Sequence, residues 1–584
     1  GSFEVRRSVG KLSELEALLV RKPLTGHLGI GHTRWATHGV PAVHNAHPHF
    51  SHGTGADAAA TKPGRIALVH NGIIENFAEL RAELEGQGHN CVFQTQTDTE
   101  VVVHLVSEYL REGLSPQEAS FKAFDRLHGA YALVLIFADH PDLMIGVRQG
   151  TPLTVGYGTD ENYLASDSYA LVPFSSTVTF LEDGDRVICT RSKVEIFDKA
   201  NTPVKRAIRQ SQHQGAISGK GLYRHFMAKE IHEQPGVIGD TLQSFFQGST
   251  DLPTLGDEFN FLKDIDRLLL ASCGTALVAG RTGAYWLEEL ARLTVDADIA
   301  SEFRYRSVVF PKDSAFLCIT QSGETLDTLE ALRFAKRNNQ KIMCVVNTLE
   351  STIERESNVV LRTLAGPEIG VASTKAFTCQ LTVLACLTLA VAKLRGTLDN
   401  DRLHELAASL RLVPGLMATT LARLEETIPA IAKTLIDAKS MLFIGRGRLY
   451  PMAVEGALKM KEISYIHAEA YAAGELKHGP IALVDEQMPI IALAPSADPL
   501  FDKMAGSIQE NAARGGRIIL ITDAAGAAKL EDIAEATIVL PEIDPVWSPL
   551  LYALPLQLLA YHVATIKGTD VDMPRNLAKS VTVE

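Results

Sequence analysis

Four short apolar runs occur twice in this chain at nearly constant spacing, and that repetition constrains its fold more than any other feature. Runs beginning at Leu268, Phe316, Ile342 and Val359 are matched by runs beginning at Met441, Pro489, Ile518 and Thr537, at offsets of 173, 173, 176 and 178 residues. Offsets this even over four elements indicate a tandem duplication of one unit. Each run is followed by a helical pattern, the signature of βαβ units around a parallel sheet. Open parallel sheets bind ligands beyond the carboxyl ends of their strands, so the loops after these runs are the candidate sites.

The region before the repeats is built differently. Ile66 to Val69, Tyr131 to Phe137, Tyr163 to Ala165 and Arg186 to Cys189 read as strands, and Glu100 to Leu110 and Pro116 to Arg126 as amphipathic helices, an α+β pattern. Asn201 to Leu222 is polar, rich in Gln and Gly and without periodicity, and reads as a linker. A chain of 584 residues, 46% apolar and 21% charged, has room for about three globular domains, each with a full core. Its net charge of −13 lacks the basic face that a nucleic-acid binder needs. The seven cysteines form no CxxC pair and several lie in apolar runs, so buried free thiols in a reducing cytoplasm are expected. Leu381 to Leu394, the longest apolar helical stretch, is interrupted by Thr382 and Thr388 and is too short for a span of about 20 residues, so no membrane partner is expected.

Several segments carry candidate chemistry. The run Ala315 to Ile319 leads into Thr320-Gln321-Ser322-Gly323-Glu324-Thr325 and then a helix. Free N–H groups and the helix dipole favour an anion there, with hydroxyl donors beside them; a plain Ser/Thr-capped helix has the same pattern. Ser272-Cys273-Gly274-Thr275 and Val371-Ala372-Ser373-Thr374-Lys375 are neighbouring loops of the same kind. In the second copy, a helix from about Pro451 to Ile463 places Glu455, Lys459 and Glu462 on one stripe. A salt-bridge ladder on a solvated face would look alike, but this helix is apolar over much of its surface, and charges on such a helix need each other or a ligand. A carboxylate perturbed by a neighbouring Lys suits proton transfer beside a carbonyl. His478 stands in a Gly-bounded loop, and Lys579 lies in an extended C-terminal tail from which a desolvated amine could form a Schiff base with a keto sugar.

Together with His32 through Gly39, His70 through Asn76 and Thr97 through Glu100, and with Glu455 through His478 and Asp570 through Glu584, these motifs resemble the glucosamine-6-phosphate synthase family, the isomerizing glutamine:fructose-6-phosphate amidotransferases. The resemblance implies a glutaminase domain of the Ntn-hydrolase kind over 1–200, a linker at 201–222, sugar isomerase (SIS) domains at 223–425 and 426–570, and a catalytic tail at 571–584. It implies fructose 6-phosphate and L-glutamine as substrates and a homodimer in the cytoplasm, with no cofactor. Thr275, Thr320, Gln321, Ser322, Thr325, Val371 and Ala578 would hold the sugar phosphate. His478 would open the sugar ring, and Lys579 would form the imine. Glu462, assisted by Lys459, would move a proton between C1 and C2. Arg34, Thr37, His38, Asn71, Gly72 and Asp98 would hold glutamine, Arg34 through its planar fork and Asn71 with the Gly72 N–H as oxyanion hole. Trp35 would gate an ammonia channel. A metal is the rival reading for the cluster of His32, His38, His44, His47, His49 and His52, but neither a thiolate pair nor HExxH accompanies it, and none is expected.

The chain departs from the family pattern at its start. Family members carry an N-terminal nucleophilic cysteine, whereas this chain begins Gly1-Ser2-Phe3 and its first cysteine is Cys91. The function the resemblance implies is transfer of glutamine-derived ammonia to fructose 6-phosphate with isomerisation to glucosamine 6-phosphate, of which the chain as it begins here is expected to retain only the isomerase chemistry; a glutaminase-inactive isomerase or a non-catalytic sugar-phosphate sensor are the alternatives. Ala276 stands where many members have serine, a lost contact of about 0.5–1.5 kcal/mol.

Overall fold

The strand Gly129–Phe137 explains the layering of the first unit. Tyr131, Leu133, Leu135 and Phe137 pack into a core with Val102, Val106, Phe121 and Phe124 of two helices. The alternate residues Ala132, Val134 and Ile136 pack into a second core with Val155 of another sheet. A strand covered on both faces reads as an unbroken apolar run. In this computed structural model, residues 2–34, 38–51, 64–86, 91–211, 219–246 and 251–582 are described. The chain divides into two compact units, Gly1–Ala216 with Val581–Glu584, and Ile217–Ser580.

The first unit holds a seven-stranded and a four-stranded sheet, both antiparallel. Helices Glu100–Arg111 and Pro116–Phe124 cover the outer face of the larger sheet. Ser115 and Glu118 close a capping box at the start of the latter, and Pro116 is its first residue. The stretch read as a linker is partly structured: Pro203–Val204 pairs with Val194–Phe197, and Arg209–Gln210 with Thr177–Phe180. Two-residue edge strands carry too little pattern to be seen in sequence.

The second unit contains the duplication. Its first sheet has the order Thr294–Ile299, Arg267–Ser272, Ser314–Thr320, Lys341–Val346, Val359–Arg362, all parallel. Its second sheet repeats that order with His467–Ala472, Ser440–Gly445, Pro489–Leu493, Arg517–Asp523 and Ala536–Leu540. The four repeated runs were therefore four of five strands. Thr294–Ile299 and His467–Ala472 are edge strands, largely half-buried, and carry Asp296, Asp298 and Glu469 instead of a continuous apolar run.

Each copy buries a small core of its own on one face of its sheet, and the two share a larger one. One hydrophobic cluster runs from Met227 to Val571 through both. Trp286 donates its indole N–H to the Val546 carbonyl at 2.7 Å, Trp547 donates to the Leu406 carbonyl at 2.9 Å, and the two rings meet edge to face at 5.3 Å. The expected boundary at 425/426 falls inside a single helix, Asn400–Lys433. Two helices, Lys375–Arg395 and Pro545–Lys567, are long and apolar enough to cross a membrane, which corrects the shorter reading of Leu381 to Leu394. Of their most apolar windows, 89% and 83% is buried inside this shared core, which accounts for their composition.

Candidate active site

In both sheets the first strand lies between the second and the third, so successive crossovers leave in opposite directions and open a crevice at the carboxyl ends. In the first copy that crevice is a cavity of about 130 Å³. It is lined by Cys273, Thr275 and Ala276 after the first strand, by Thr320, Gln321, Ser322 and Thr325 after the third, and by Ser373, Gln380 and Lys579. Five residues expected to bind a sugar phosphate and the expected imine lysine thus meet at one place, across more than 300 positions of sequence.

Within the loop, the Gly323 N–H donates to Thr320 Oγ1 at 3.1 Å and the Glu324 N–H to Ser322 Oγ at 3.2 Å. Ser580 of the tail donates to Ser322 Oγ at 3.0 Å. Thr325 occupies the N-cap of Leu326–Arg337 but makes no side-chain cap bond; its side chain lines the cavity instead. Gly323 has φ +68°, and a Cβ there would lie 1.9 Å from Ser351 Oγ. Gly323→Ala is therefore expected to destabilise the chain by about 1–3 kcal/mol and to raise the KM for a sugar phosphate. Unchanged melting temperature and KM would show that the loop geometry is not constrained there.

The helix Tyr450–Ser464 brings its charged stripe against this cavity through Thr275. Lys459 is fully buried. Its ammonium donates to Thr275 Oγ1 at 3.1 Å and to Glu462, with Glu455 at 3.4 Å. Thr275 donates in turn to Glu455 at 3.2 Å. One cation thus faces two carboxylates. Burial pushes Glu455 up to about 7, against the pull of Lys459, and its Oε2 has no partner. Burial works against the Lys459 charge, but Glu455 and Glu462 outweigh it and hold the ammonium protonated. Glu462, with 22% of its side chain exposed, is the member of the triad open to a ligand.

Lys579 forms an ion pair with Glu368 and donates to the Gly370 carbonyl at 2.9 Å. The Val371 N–H donates to the Asp572 carbonyl at 3.0 Å, tying its loop to the tail. Val371 and Ala578 are half-buried and do not line the cavity. His478 ends the 3-10 turn Glu475–His478, is exposed, and does not line it either. Sequence reasoning missed Gln380 and Glu368. Gln380 lines the cavity with Oε1 unpartnered, and its signal was an amide in a helix whose other interior polar residues are threonines. Glu368 sits in an aperiodic loop and gave none.

In the first unit, Asn71 and Gly72 lie on Ile66–Ile74. Gly72 has φ +116°, and a Cβ there would come 2.1 Å from the Ala130 carbonyl oxygen, so only glycine fits. His32 Nε2 meets Asn71 Oδ1 at 2.7 Å. Asp98 is buried and accepts from the Ile74 N–H at 2.8 Å. Arg34 turns its guanidinium onto the carbonyls of His38, Gly39 and Val40, and the His38 ring packs edge-on against Phe77. Trp35 and Thr37, like His52, lie outside the described residues. Among the described residues no group of three or more His, Cys, Asp or Glu side chains is arranged to hold a metal ion. His47 packs instead between His32, whose ring is tilted to it at 4.1 Å, and His49, whose ring meets it edge-on at 4.6 Å between centroids. Burial lowers all three, His49 to about 3, and keeps them neutral.

Residues 261–390 and 434–567 match the SIS domain family, and residues 50–173 match the glutamine amidotransferase domain family. Over 587 residues the chain is 53% identical to the glutamine–fructose-6-phosphate aminotransferase (isomerizing) of Brucella abortus biovar 1 (strain 9-941), covering all of this chain and 94% of that protein. It is 51% identical to the protein of the same name from Gluconobacter oxydans (strain 621H), covering all of this chain and 93% of that one. Among solved structures, the C-terminal domain of glucosamine-fructose-6-phosphate aminotransferase from Francisella tularensis superposes with a TM-score of 0.59 at 43% identity, over 61% of this chain and all of that domain.

Proposed function

The chain belongs to the isomerizing glutamine–fructose-6-phosphate aminotransferase family, and on that premise we propose that it transfers the amide nitrogen of glutamine to fructose 6-phosphate and isomerises the product to glucosamine 6-phosphate. The observation that carries this reading is the convergence of Lys579 and the Thr320–Thr325 loop on one cavity. The loop and its hydroxyl groups receive the phosphate at the strand–helix junction. Lys579 adds to the C2 carbonyl of the open-chain sugar, and loss of water leaves an imine. Ammonia displaces the lysine, and Glu462 carries a proton from C1 to C2. An imine nitrogen acidifies the C1–H bond, so this route calls on no metal.

Lys459 serves this chemistry from behind. Fully buried, it fixes the Glu462 carboxylate rather than meeting the sugar. His478 is the ring-opening acid–base group, and we assign it to the cavity of a neighbouring subunit in a cytoplasmic homodimer, a role that suits an exposed turn. Arg34, Thr37, His38, Asn71, Gly72 and Asp98 form the glutamine site, with Trp35 at its channel. The amidotransferase match and the relatives' names favour this reading over a glutamine-independent isomerase or a sensor.

The test is to incubate the chain with fructose 6-phosphate and either amide-15N glutamine or ammonium. Labelled glucosamine 6-phosphate is expected, from ammonium by the isomerase half alone and from glutamine where the family's N-terminal nucleophilic cysteine is present. With that cysteine present, product from ammonium alone leaves the isomerase half standing and removes the glutamine half. Sugar binding with no product from either source sinks the enzyme reading.

A further inference from the structure

The ammonium of Lys579 is held at two points, and both belong to one buried segment. The Glu368 carboxylate, with its side chain wholly inaccessible, pairs with Nζ through Oε2. Its other oxygen accepts from the Thr374 and Ala376 N–H groups at 2.9 and 3.0 Å, at the N-terminus of the helix Lys375–Arg395. The second point is the Gly370 carbonyl. That residue is fixed from behind by Glu230, which is 2% exposed and accepts from the Ile369 and Gly370 N–H groups. The other cation at this seam, Lys375, is taken by Glu233 at 2.8 Å. Lys579 is thus the cation that Glu368 faces.

The geometry points to Glu368 as the ionised counter-ion of Lys579 throughout the reaction, holding its nitrogen for the attack on C2 and then stabilising the protonated imine. This rests on the imine role proposed for Lys579. The charge balance is simple. The ammonium gives one proton to the C2 carbonyl oxygen as its nitrogen forms the C2–N bond. A second proton passes from that nitrogen to the carbinolamine hydroxyl, which leaves as water, so a cationic C2=N(H)–Lys579 faces an ionised Glu368. Ammonia then adds to the iminium carbon, a proton passes from the incoming to the outgoing nitrogen, and the C2–N bond to Lys579 breaks. A carboxylate at this point keeps the imine in its protonated, electrophilic form. Burial alone would push Glu368 up, but Lys579 and the two helix N–H groups outweigh it and keep it below the usual range. Glu230, with Glu368 as its charged neighbour, is instead pushed up by burial to about 7.

The experiment is reductive trapping with cyanoborohydride and fructose 6-phosphate, read as the adduct mass on the peptide containing Lys579, with sugar binding measured separately. In Glu368→Gln, trapping is expected to fall about tenfold or more, with sugar binding within about twofold, the scale of one lost charge-assisted contact. A wild-type trapping rate in that variant overturns the counter-ion role. If Glu368→Gln is not recovered folded, Glu368→Asp decides: its shortened carboxylate is expected to trap about fivefold more slowly, and a wild-type rate overturns the role. Absence of any adduct on Lys579 in the unaltered chain overturns the imine reading itself, a different failure that Glu368 variants do not produce.

Discussion

Lys579→Arg is expected to leave the chain folded and able to bind fructose 6-phosphate while lowering the rate of amino-sugar formation by about a thousandfold or more, some 4 kcal/mol of transition-state stabilisation. Arginine keeps the positive charge that Glu368 faces, so the tail stays paired. Its guanidinium remains protonated at any working pH and does not add to a carbonyl. Lys579→Ala is expected to be as inactive, and also to leave Glu368 buried without its cation. The measurements are the rate of glucosamine 6-phosphate formation with saturating ammonium and sugar binding by calorimetry. More than a tenth of the wild-type rate in Lys579→Arg would sink the imine assignment. Loss of sugar binding in that variant would instead make Lys579 a binding group.

Lys459→Met is expected to cost about 3–5 kcal/mol of folding stability, because it leaves Glu455 and Glu462 without the cation between them. The cost has a direction in pH. Glu455 already stands at about 7, above the ordinary 4.5, so between those values the folded chain holds more protons than the unfolded one. A carboxyl raised in this way contributes less stability as pH rises through that window. Removing Lys459 raises Glu455 further, so the variant's deficit is expected to be larger at pH 8 than at pH 5. Urea midpoints at the two pH values measure it. A deficit under about 1 kcal/mol, or one larger at pH 5, would mean that the triad is not the buried ion cluster described here.

Much of the fold was legible because parallel strands under helices are apolar throughout. Four strands of each copy announced themselves that way, as did the doubly covered Gly129–Phe137. The edge strands Thr294–Ile299 and His467–Ala472 did not, because their exposed positions break the run. The site was legible where several hydroxyls or charges crowd a short stretch, as in Thr320–Thr325 and in the Glu455, Lys459, Glu462 stripe. It was not legible where one polar residue acts alone. Glu368 stands in a loop with no period, and its importance arises only from the lysine brought to it from 211 positions away.

The sequence by itself determined the duplication, the strand–loop–helix junctions and the family, since periodicity, turn chemistry and motif order are local properties of the chain. Which groups meet was decided by tertiary structure. Thr275 of one copy touches Glu455 and Lys459 of the other, and the tail lays Lys579 across the first copy's crevice. The reason is that a charge buried far from water must find its partner in space. That partner is chosen by how two sheets share one core, which no local pattern encodes.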